Sequence, residues 1–392
     1  MTPAARTQAA IEILDQIIDA ARAGGAAGDT LIARYFASRR YAGSKDRRAV
    51  RELVYAAIRR AGEVPDGGRA AIVGVAREDE TLAATFDGSA HGPAVLTDDE
   101  PAAKAGTAPA WLGKRFRASA IDPAEAAALV GRAPLDLRVA PGVDPADLFA
   151  DLGAAPVAGL PTALRLPAGT SIEATPAFRE GLVEVQDAGS QMVTLAARPA
   201  PGMRIVDLCA GAGGKSLALA AAMNSEGAIL ATDTDRARLS RLQPRAERAG
   251  ATIIETRLLD PNREAAALAD WTGRADVVLI DAPCSGTGTW RRNPEARWRL
   301  TPARIDRLVE TQHRLLDVAA PLVRPGGALV YIVCSLLDEE GTGQIDRFLT
   351  VHPEWRAEEP IPQGRARGAG KRLTPAHDST DGFFVARLIR PC

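Results

Sequence analysis

From residue 204 onward the chain repeats one pattern, a continuous apolar run followed by an amphipathic stretch. The runs are RIVDL (204–208), AILATD (228–233), TIIETR (252–257), DVVLID (276–281) and ALVYIV (328–333). Between and after them lie KSLALAAAM, DRARLSRLQPRAERAG, NREAAALAD, PARIDRLVETQHRLLDVAAPLV and EEGTGQIDRFLTVH, which read as helices. Strands without polar alternation, separated by helices, imply a parallel sheet covered on both faces. FFVARLI (383–389) reads as a last strand. The pattern predicts a doubly wound, Rossmann-like α/β domain over 191–392.

The preceding chain has a different texture. Ile11, Leu14, Ile17, Ile18 and Ala21 share one helical face, as do Val50, Leu53, Val54, Ala57 and Ile58. Gly24-Gly25 and Gly62 stop those helices, and from 63 to 110 the periodicity weakens. PLDLRVAP (134–141), TALRLP (162–167) and GLVEVQD (181–187) read as short strands, with DPADLFADLG (144–153) as a helix between the first two. The expected organisation is a helical domain over 1–118, a small α+β subdomain over 119–190 and the α/β domain.

The chain is 46% hydrophobic and 25% charged with a net charge of −1, which excludes a uniformly basic nucleic-acid binder. Arginine is nevertheless concentrated in 39–60, 290–300 and 363–372, and its planar donor fork suits phosphate. No run reaches the ~18 apolar residues of a membrane span. The N-terminus lacks a signal-peptide plan, so a cytoplasmic protein is expected. The four cysteines, at 209, 284, 334 and 392, form no CxxC pair, which argues against zinc or a disulfide framework and leaves no metal expected.

Side chains at the carboxyl ends of parallel strands point into one crevice, where open α/β sheets bind ligands. Three chemistry-bearing segments fall there: DLCAGAGGKS (207–216), DAPCSG (281–286) and YIVCS (331–335). The glycine loop opens a helix, where backbone amides meet anionic or polar groups. Three ligands compete for it. Gly214, Lys215 and Ser216 fit a phosphate loop and VVLID resembles its companion strand, but Cys209 occupies the first glycine position. A P-loop NTPase is therefore a rival on that pair. A dinucleotide fingerprint has Gly211 and Gly213 but Ser216 in place of its third glycine. S-adenosylmethionine fits the loop, with Asp233 at the spacing, about 20 residues on, of an acid that holds ribose hydroxyls. Asp235 is the better helix cap for the segment that follows.

Together DLCAGAGGK, DAPCSGTG and YIVCS resemble the signature motifs of the RNA cytosine-5 methyltransferases, in the same order and spacing. More narrowly, the chain is similar to the bacterial 16S ribosomal RNA branch of that family, the RsmB/Sun/Fmu group of the NOL1/NOP2/Sun superfamily. DRRAVRELVYAAIRR (46–60) and PAWLGKRF (109–116) resemble the NusB-like helical RNA-binding domain of that branch. VEVQDAGSQMV (183–193) and DGFFVARL (381–388) resemble its linker motif and terminal strand. Two positions depart from the pattern: Ala212 stands where the family has proline, and Val333 where it has threonine, leaving one fewer hydroxyl near a target base.

The resemblance implies methylation of carbon 5 of a cytosine in RNA, with 16S rRNA as the expected partner and transfer RNA as the alternative. Carbon 5 is a weak nucleophile; thiolate addition at carbon 6 makes it an enamine, splitting one hard step into easier ones. By resemblance Cys334 attacks, Cys284 assists product release, and Asp281 bonds the cytosine edge and belongs also to the cofactor site. Cys209, Ala210, Gly211, Ala212, Gly213, Gly214, Lys215, Asp233 and Asp260 are the remaining expected S-adenosylmethionine contacts. Arg291, Arg292 and Arg297, in a loop with Arg299, Trp290 and Trp298, suit an unstacked RNA base and its backbone. The tryptophans equally suit packing of the loop. A non-catalytic RNA-binding module is a third reading, disfavoured by the intact glycine loop. Cys392, at the end of the chain, is expected to be inert.

Overall fold

The computed structural model describes residues 1–392, apart from the side chain of Asp147. Two compact units emerge, Met1–Gly131 with Thr289–Thr301, and Arg132–Gly288 with Pro302–Cys392. The unit boundary therefore lies elsewhere than the division expected at 118 and 190, and residues 289–301 group with the N-terminal helices rather than with the α/β domain.

The helical unit is built on α1 (Pro3–Ala23), α2 (Gly28–Ala37), α3 (Ser44–Arg60), α4 (Gly68–Ala76) and α5 (Ala110–Ala118). Thr2 caps α1 by accepting from the Ala5 amide, and Gly24, at φ +73°, ends it in the left-handed conformation that glycine adopts without strain. The predicted α1 face is buried, as are Val50, Val54, Ala57 and Ile58 of α3. The weakly patterned 63–110 stretch yields α4, whose Ile72 and Val73 join the same core.

Residues 289–301 belong here because they satisfy three helix ends. Glu295 Oε1 accepts from the Gly28 amide at 3.0 Å, at the start of α2, where the N-cap residue Ala27 has no side chain able to do so. Arg297 donates to the carbonyls of Ile58 at 2.6 Å and Ala61 at 2.8 Å, at the end of α3. Arg299 donates to the carbonyls of Gly25 and Ala26, just past the end of α1. Carboxylate at an N-terminus and guanidinium at C-termini both complement the helix dipole.

In the second unit β1 (Leu135–Val139), β2 (Ala155–Val157), β3 (Leu160–Leu166) and β4 (Val183–Val185) form an antiparallel sheet in the order β2-β3-β1-β4. The helix expected over 144–153 is instead two 3₁₀ turns, Pro145–Asp147 and Ala150–Leu152. Phe149 between them takes φ +59°, which interrupts any helical path.

The larger sheet comprises β5 (Arg204–Asp207), β6 (Ala228–Asp233), β7 (Ile254–Leu258), β8 (Ala275–Asp281), β9 (Val323–Val333), β10 (Arg356–Glu358), β11 (Arg365–Arg367), β12 (Gly370–Leu373) and β13 (Phe383–Ile389). Its order is β11-β12-β13-β9-β8-β5-β6-β7, with β10 paired to β13. Strands β5 to β9 pair in parallel, and β13 runs antiparallel to β9. Successive residues serve opposite faces: Ile205, Val277, Leu279, Val330 and Ile332 line one core, and Val206, Val278, Ile280, Leu329 and Tyr331 the other. Two buried faces explain why these strands show no polar alternation. Helices α6 (Ala188–Thr194), α7 (Gly214–Ala222), α8 (Pro302–Ala319) and α9 (Thr342–Val351) complete the unit. The helix expected after β6 is split into Arg236–Leu239 and Leu242–Arg248. Pro244 cannot donate to a preceding turn and is tolerated only in the first turn of the second piece. Among the described residues no helix is long and apolar enough to cross a membrane.

Among the parallel strands, β5 neighbours both β6 and β8, and the order reverses between β5 and β8. A crevice opens at such a switch point, outside the carboxyl ends of the strands. The glycine loop follows β5, the Cys284 loop follows β8, and Cys334 follows β9.

Candidate active site

Cys284 and Cys334 come together: their sulfur atoms lie 3.3 Å apart, and both side chains are partly buried. The two loops are also joined through backbone, since the Gly288 amide donates to the Cys334 carbonyl at 3.0 Å and the Gly382 amide to the Gly288 carbonyl at 2.8 Å. Gly288 has to be glycine, because a methyl group there would collide with the Gly382 carbonyl. Strand alternation sends Cys334 to the crevice and Val333 into the core, where it has no exposed surface. The hydroxyl missing at position 333 is thus absent from the core, not from the vicinity of the thiols.

Lys215 Nζ lies 2.6 Å from Asp281 Oδ2, with the Lys215 side chain 9% exposed and that of Asp281 33% exposed. Burial opposes the ammonium, but the Asp281 charge and hydrogen bond, with a contribution from Cys334, outweigh it and raise Lys215 above the ordinary lysine value. The lysine that a phosphate loop would direct at a nucleotide is therefore held by a carboxylate. Ser216 Oγ likewise donates to Asp207 Oδ2 at 2.6 Å, so it is not free to hold a metal ion as in such a loop.

Asp207 has no exposed surface, and among the described residues its Oδ1 has no hydrogen-bond partner. Burial pushes its pKa up to about 7; the Ser216 hydrogen bond opposes the rise and the Asp281 charge adds to it. Cys284 is raised above the ordinary thiol value, first by its hydrogen bond with Cys334, then by burial and by the charges of Cys334 and Glu340. Cys209, partly exposed at the base of the loop, is raised chiefly by burial of its thiol.

The glycine loop takes left-handed turns at Gly211 (φ +56°) and Gly213 (φ +83°). Gly213 begins α7 without a capping side chain, and a methyl group at Gly214 would meet nothing within 4 Å. Helix-starting amides thus face open space. Asp233 Oδ2 accepts from the Gly211 amide at 2.8 Å, and Oδ1 from the Asp235 amide at 2.7 Å. Asp235, not Asp233, caps the following helix, through the amides of Ala237 and Arg238. The Ala212 carbonyl accepts from Arg245 Nη1 at 2.6 Å, which braces the loop where the family pattern has proline. Asp260 is exposed in the loop after β7, beside Leu259, whose amide donates to the Asp233 carbonyl.

The arginines expected to meet RNA stand differently. Arg297 has no exposed surface, and its guanidinium is spent on helix carbonyls; burial pulls its pKa down to about 10, so it stays charged there. The expectation that Arg297 contacts RNA is corrected: it is a structural cation. Arg291 is 7% exposed and Arg292 half-buried. Trp290 is fully buried, with its ring 5.5 Å from that of Phe116, and Trp298 Nε1 donates to the Ala61 carbonyl. Both tryptophans pack the loop.

Several residues at the site escaped the sequence reading. Phe383 lies with its ring 5.7 Å from Lys215 Nζ. Ser285, Thr287, Ser335 and Glu340 form a buried polar cluster directly behind the two cysteines. The hydroxyls adjoining each cysteine were the available signal.

A sequence-family model described as 16S rRNA methyltransferase RsmB/F matches residues 193–389. The probable ribosomal RNA small subunit methyltransferase B of Synechocystis sp. is 39% identical over 267 residues, 65% of this chain and 59% of that protein. Ribosomal RNA small subunit methyltransferase B of Xanthomonas campestris pv. campestris is 37% identical over 292 residues, 72% of this chain and 66% of its own length. The match thus spans less than two thirds of either relative. The crystal structure of PH0851 superposes with a TM-score of 0.77 at 25% identity, covering 99% of both chains.

Proposed function

The chain belongs to the 16S rRNA methyltransferase RsmB/F family, and from that premise we propose that it methylates carbon 5 of a cytosine in 16S ribosomal RNA through a covalent adduct with Cys334. One observation carries this reading: two strand-end thiols 3.3 Å apart, in a unit whose glycine loop presents uncapped helix amides.

The loop fits S-adenosylmethionine. The open space at Gly214 and the uncapped amides suit its carboxylate, the unpartnered Asp207 Oδ1 is a buried acceptor nearby, and Asp233 is in place for ribose hydroxyls. Bound there, it would supply an electrophilic methyl group. Residues 209–214 and Asp233 would hold it, with Asp260 toward its adenine.

The chain's own groups divide the remaining work. The hydrogen bond with Cys334 and burial hold the proton on Cys284. With the sulfur atoms 3.3 Å apart, the Cys284 thiol is placed to donate to the Cys334 sulfur. Addition of Cys334 to carbon 6 of the base moves electron density onto carbon 5 and the ring. Asp281, anchored by Lys215 through one oxygen and one third exposed, is free to accept from the exocyclic amine on the cytosine edge and orient the base, and the Lys215 ammonium beside it offsets the negative charge that addition places on the ring. After carbon 5 is methylated, its proton passes to solvent at the crevice, the C–H electron pair re-forms the 5,6 double bond and Cys334 leaves carbon 6 as thiolate, with Cys284 assisting release. A base must leave its stack to reach thiols in a crevice.

Bisulfite mapping of total RNA tests the reading. One cytosine of 16S rRNA is expected to be protected when the protein is present, and unprotected when it is absent or carries Cys334→Ala. A map identical in all three cases contradicts the proposal.

A further inference from the structure

Glu340 plays no part in the chemistry above, yet it is fully buried. Its Oε1 accepts from the Ser285 amide at 2.7 Å and from Gln312 Nε2 at 3.1 Å. Its Oε2 accepts from Ser335 Oγ at 2.6 Å and from Ser285 Oγ. Ser285 directly follows Cys284 and Ser335 directly follows Cys334, so one carboxylate ties together the backbones that carry both thiols. Gln312, on α8, also donates to the carbonyl of Pro283 at 2.9 Å, fixing the residue before Cys284. Thr287 closes the cluster: its hydroxyl accepts from the Leu336 amide at 2.9 Å and lies 3.1 Å from Ser335 Oγ.

Each of these donors is neutral. Burying a carboxylate among neutral donors costs stability that apolar packing would not, and burial accordingly raises Glu340 above the ordinary carboxylate value, against the pull of the Ser285 and Ser335 hydrogen bonds. A fold that only needed to fill this space behind the sheet would do so more stably with leucine or methionine.

Resting on the two-cysteine reading above, we propose that Glu340 is a positioning residue for both thiols, tying the Cys284 and Cys334 loops together and placing negative charge on the Cys284 side. The tie sets the separation of the sulfur atoms. The charge adds to the hydrogen bond and burial that raise the Cys284 thiol. Loss of the tie lets the loops separate; loss of the charge alone weakens the carboxylate's hold on the Ser285 and Ser335 donors and lowers the Cys284 thiol.

Two variants of the full chain separate these effects. Glu340→Gln keeps an acceptor for the Ser285 amide but removes the charge, and Glu340→Ala removes both. The first measurement is capture of the free protein by phenylarsine oxide, which bridges two adjacent thiols, read by intact mass. Capture by Glu340→Ala is expected to slow by about 10-fold or more, and by Glu340→Gln only a few-fold. The second is steady-state methylation, in which kcat should fall about 10-fold or more in both variants while KM for RNA stays within about 3-fold. Should Glu340→Ala fail to fold, the Ser285→Ala/Ser335→Ala double variant, which removes both hydroxyl donors, should show the same slowed capture. Capture and kcat within about 2-fold of wild type in Glu340→Ala, or a rise in KM with kcat unchanged, overturn the proposal. The arsenical measurement needs no RNA, so it decides the tie whatever becomes of the methylation reading.

Discussion

Replacing Arg297 with methionine separates two roles that its sequence context allows, a phosphate contact and a helix cap. Methionine fills much of the same stem volume but donates nothing. In the wild type the carbonyls at the end of α3 all have partners: Ala57 accepts from the Ala61 amide, Arg60 from the Gly106 amide, and Ile58, Arg59 and Ala61 from Arg297. Pro294 is a further acceptor of the same guanidinium at 2.9 Å. Ala61 keeps the Trp298 indole in the variant, so the carbonyls of Ile58 and Pro294 suffer most. Each buried carbonyl left unmatched costs about 1–3 kcal/mol, and relief of the buried guanidinium's desolvation returns part of that sum. A net loss of about 3 kcal/mol is expected. In a unit of about 140 residues this lowers the melting temperature by about 10 °C. Calorimetry measures that shift, and RNA affinity against salt concentration measures the alternative. An unchanged melting temperature with a salt slope reduced by about one phosphate would refute the helix-cap assignment.

Two further perturbations probe the site. Asp207 has a folded pKa near 7 against 3.8 in the unfolded chain, so as pH rises through that window the unfolded state ionises first and stability falls. Asp207→Asn removes this loss, and its stability relative to wild type, by urea titration, should grow by about 4 kcal/mol between pH 4 and pH 8; a pH-independent difference contradicts the burial argument. Gly288→Ala forces a methyl group against the Gly382 carbonyl. It should lower kcat about 100-fold by displacing the Cys284 loop, with calorimetric binding of S-adenosylhomocysteine retained; near-normal turnover would show that the loop contact does not set thiol geometry.

How much of this was legible beforehand follows from what side chains reveal of their surroundings. Strands β5, β6, β8 and β9 announced themselves through apolar runs buried on both faces, whereas β7 carries the exposed Glu255 and Thr256; strand ends then pointed to Asp281 and the two cysteines. The edge strands β10 to β12, with segments such as RAE, RAR and GKRL, carry no such signal, and β2 is three residues long with a central proline. The split in the helix after β6 had its signal in Pro244, which the reading of one continuous helix passed over, whereas the left-handed Phe149 has no sequence signature. Arg297 and Glu340 were opaque for one shared reason. Charged residues are seldom fully buried, so an arginine beside tryptophan reads as an RNA contact and a glutamate in DEE as solvated surface. Only the carbonyls and hydroxyls brought to them by the fold show otherwise. The grouping of 289–301 with the N-terminal helices is likewise a consequence of helix-end satisfaction, which no periodicity encodes.

The most direct measurement is to incubate the Cys284→Ala protein with RNA and S-adenosylmethionine and run the products on a denaturing gel, followed by peptide mass spectrometry. With the releasing thiol gone, a protein–RNA conjugate should survive denaturation and map to the peptide containing Cys334. Free RNA alone, or a conjugate on any other residue, would contradict Cys334 as the nucleophile.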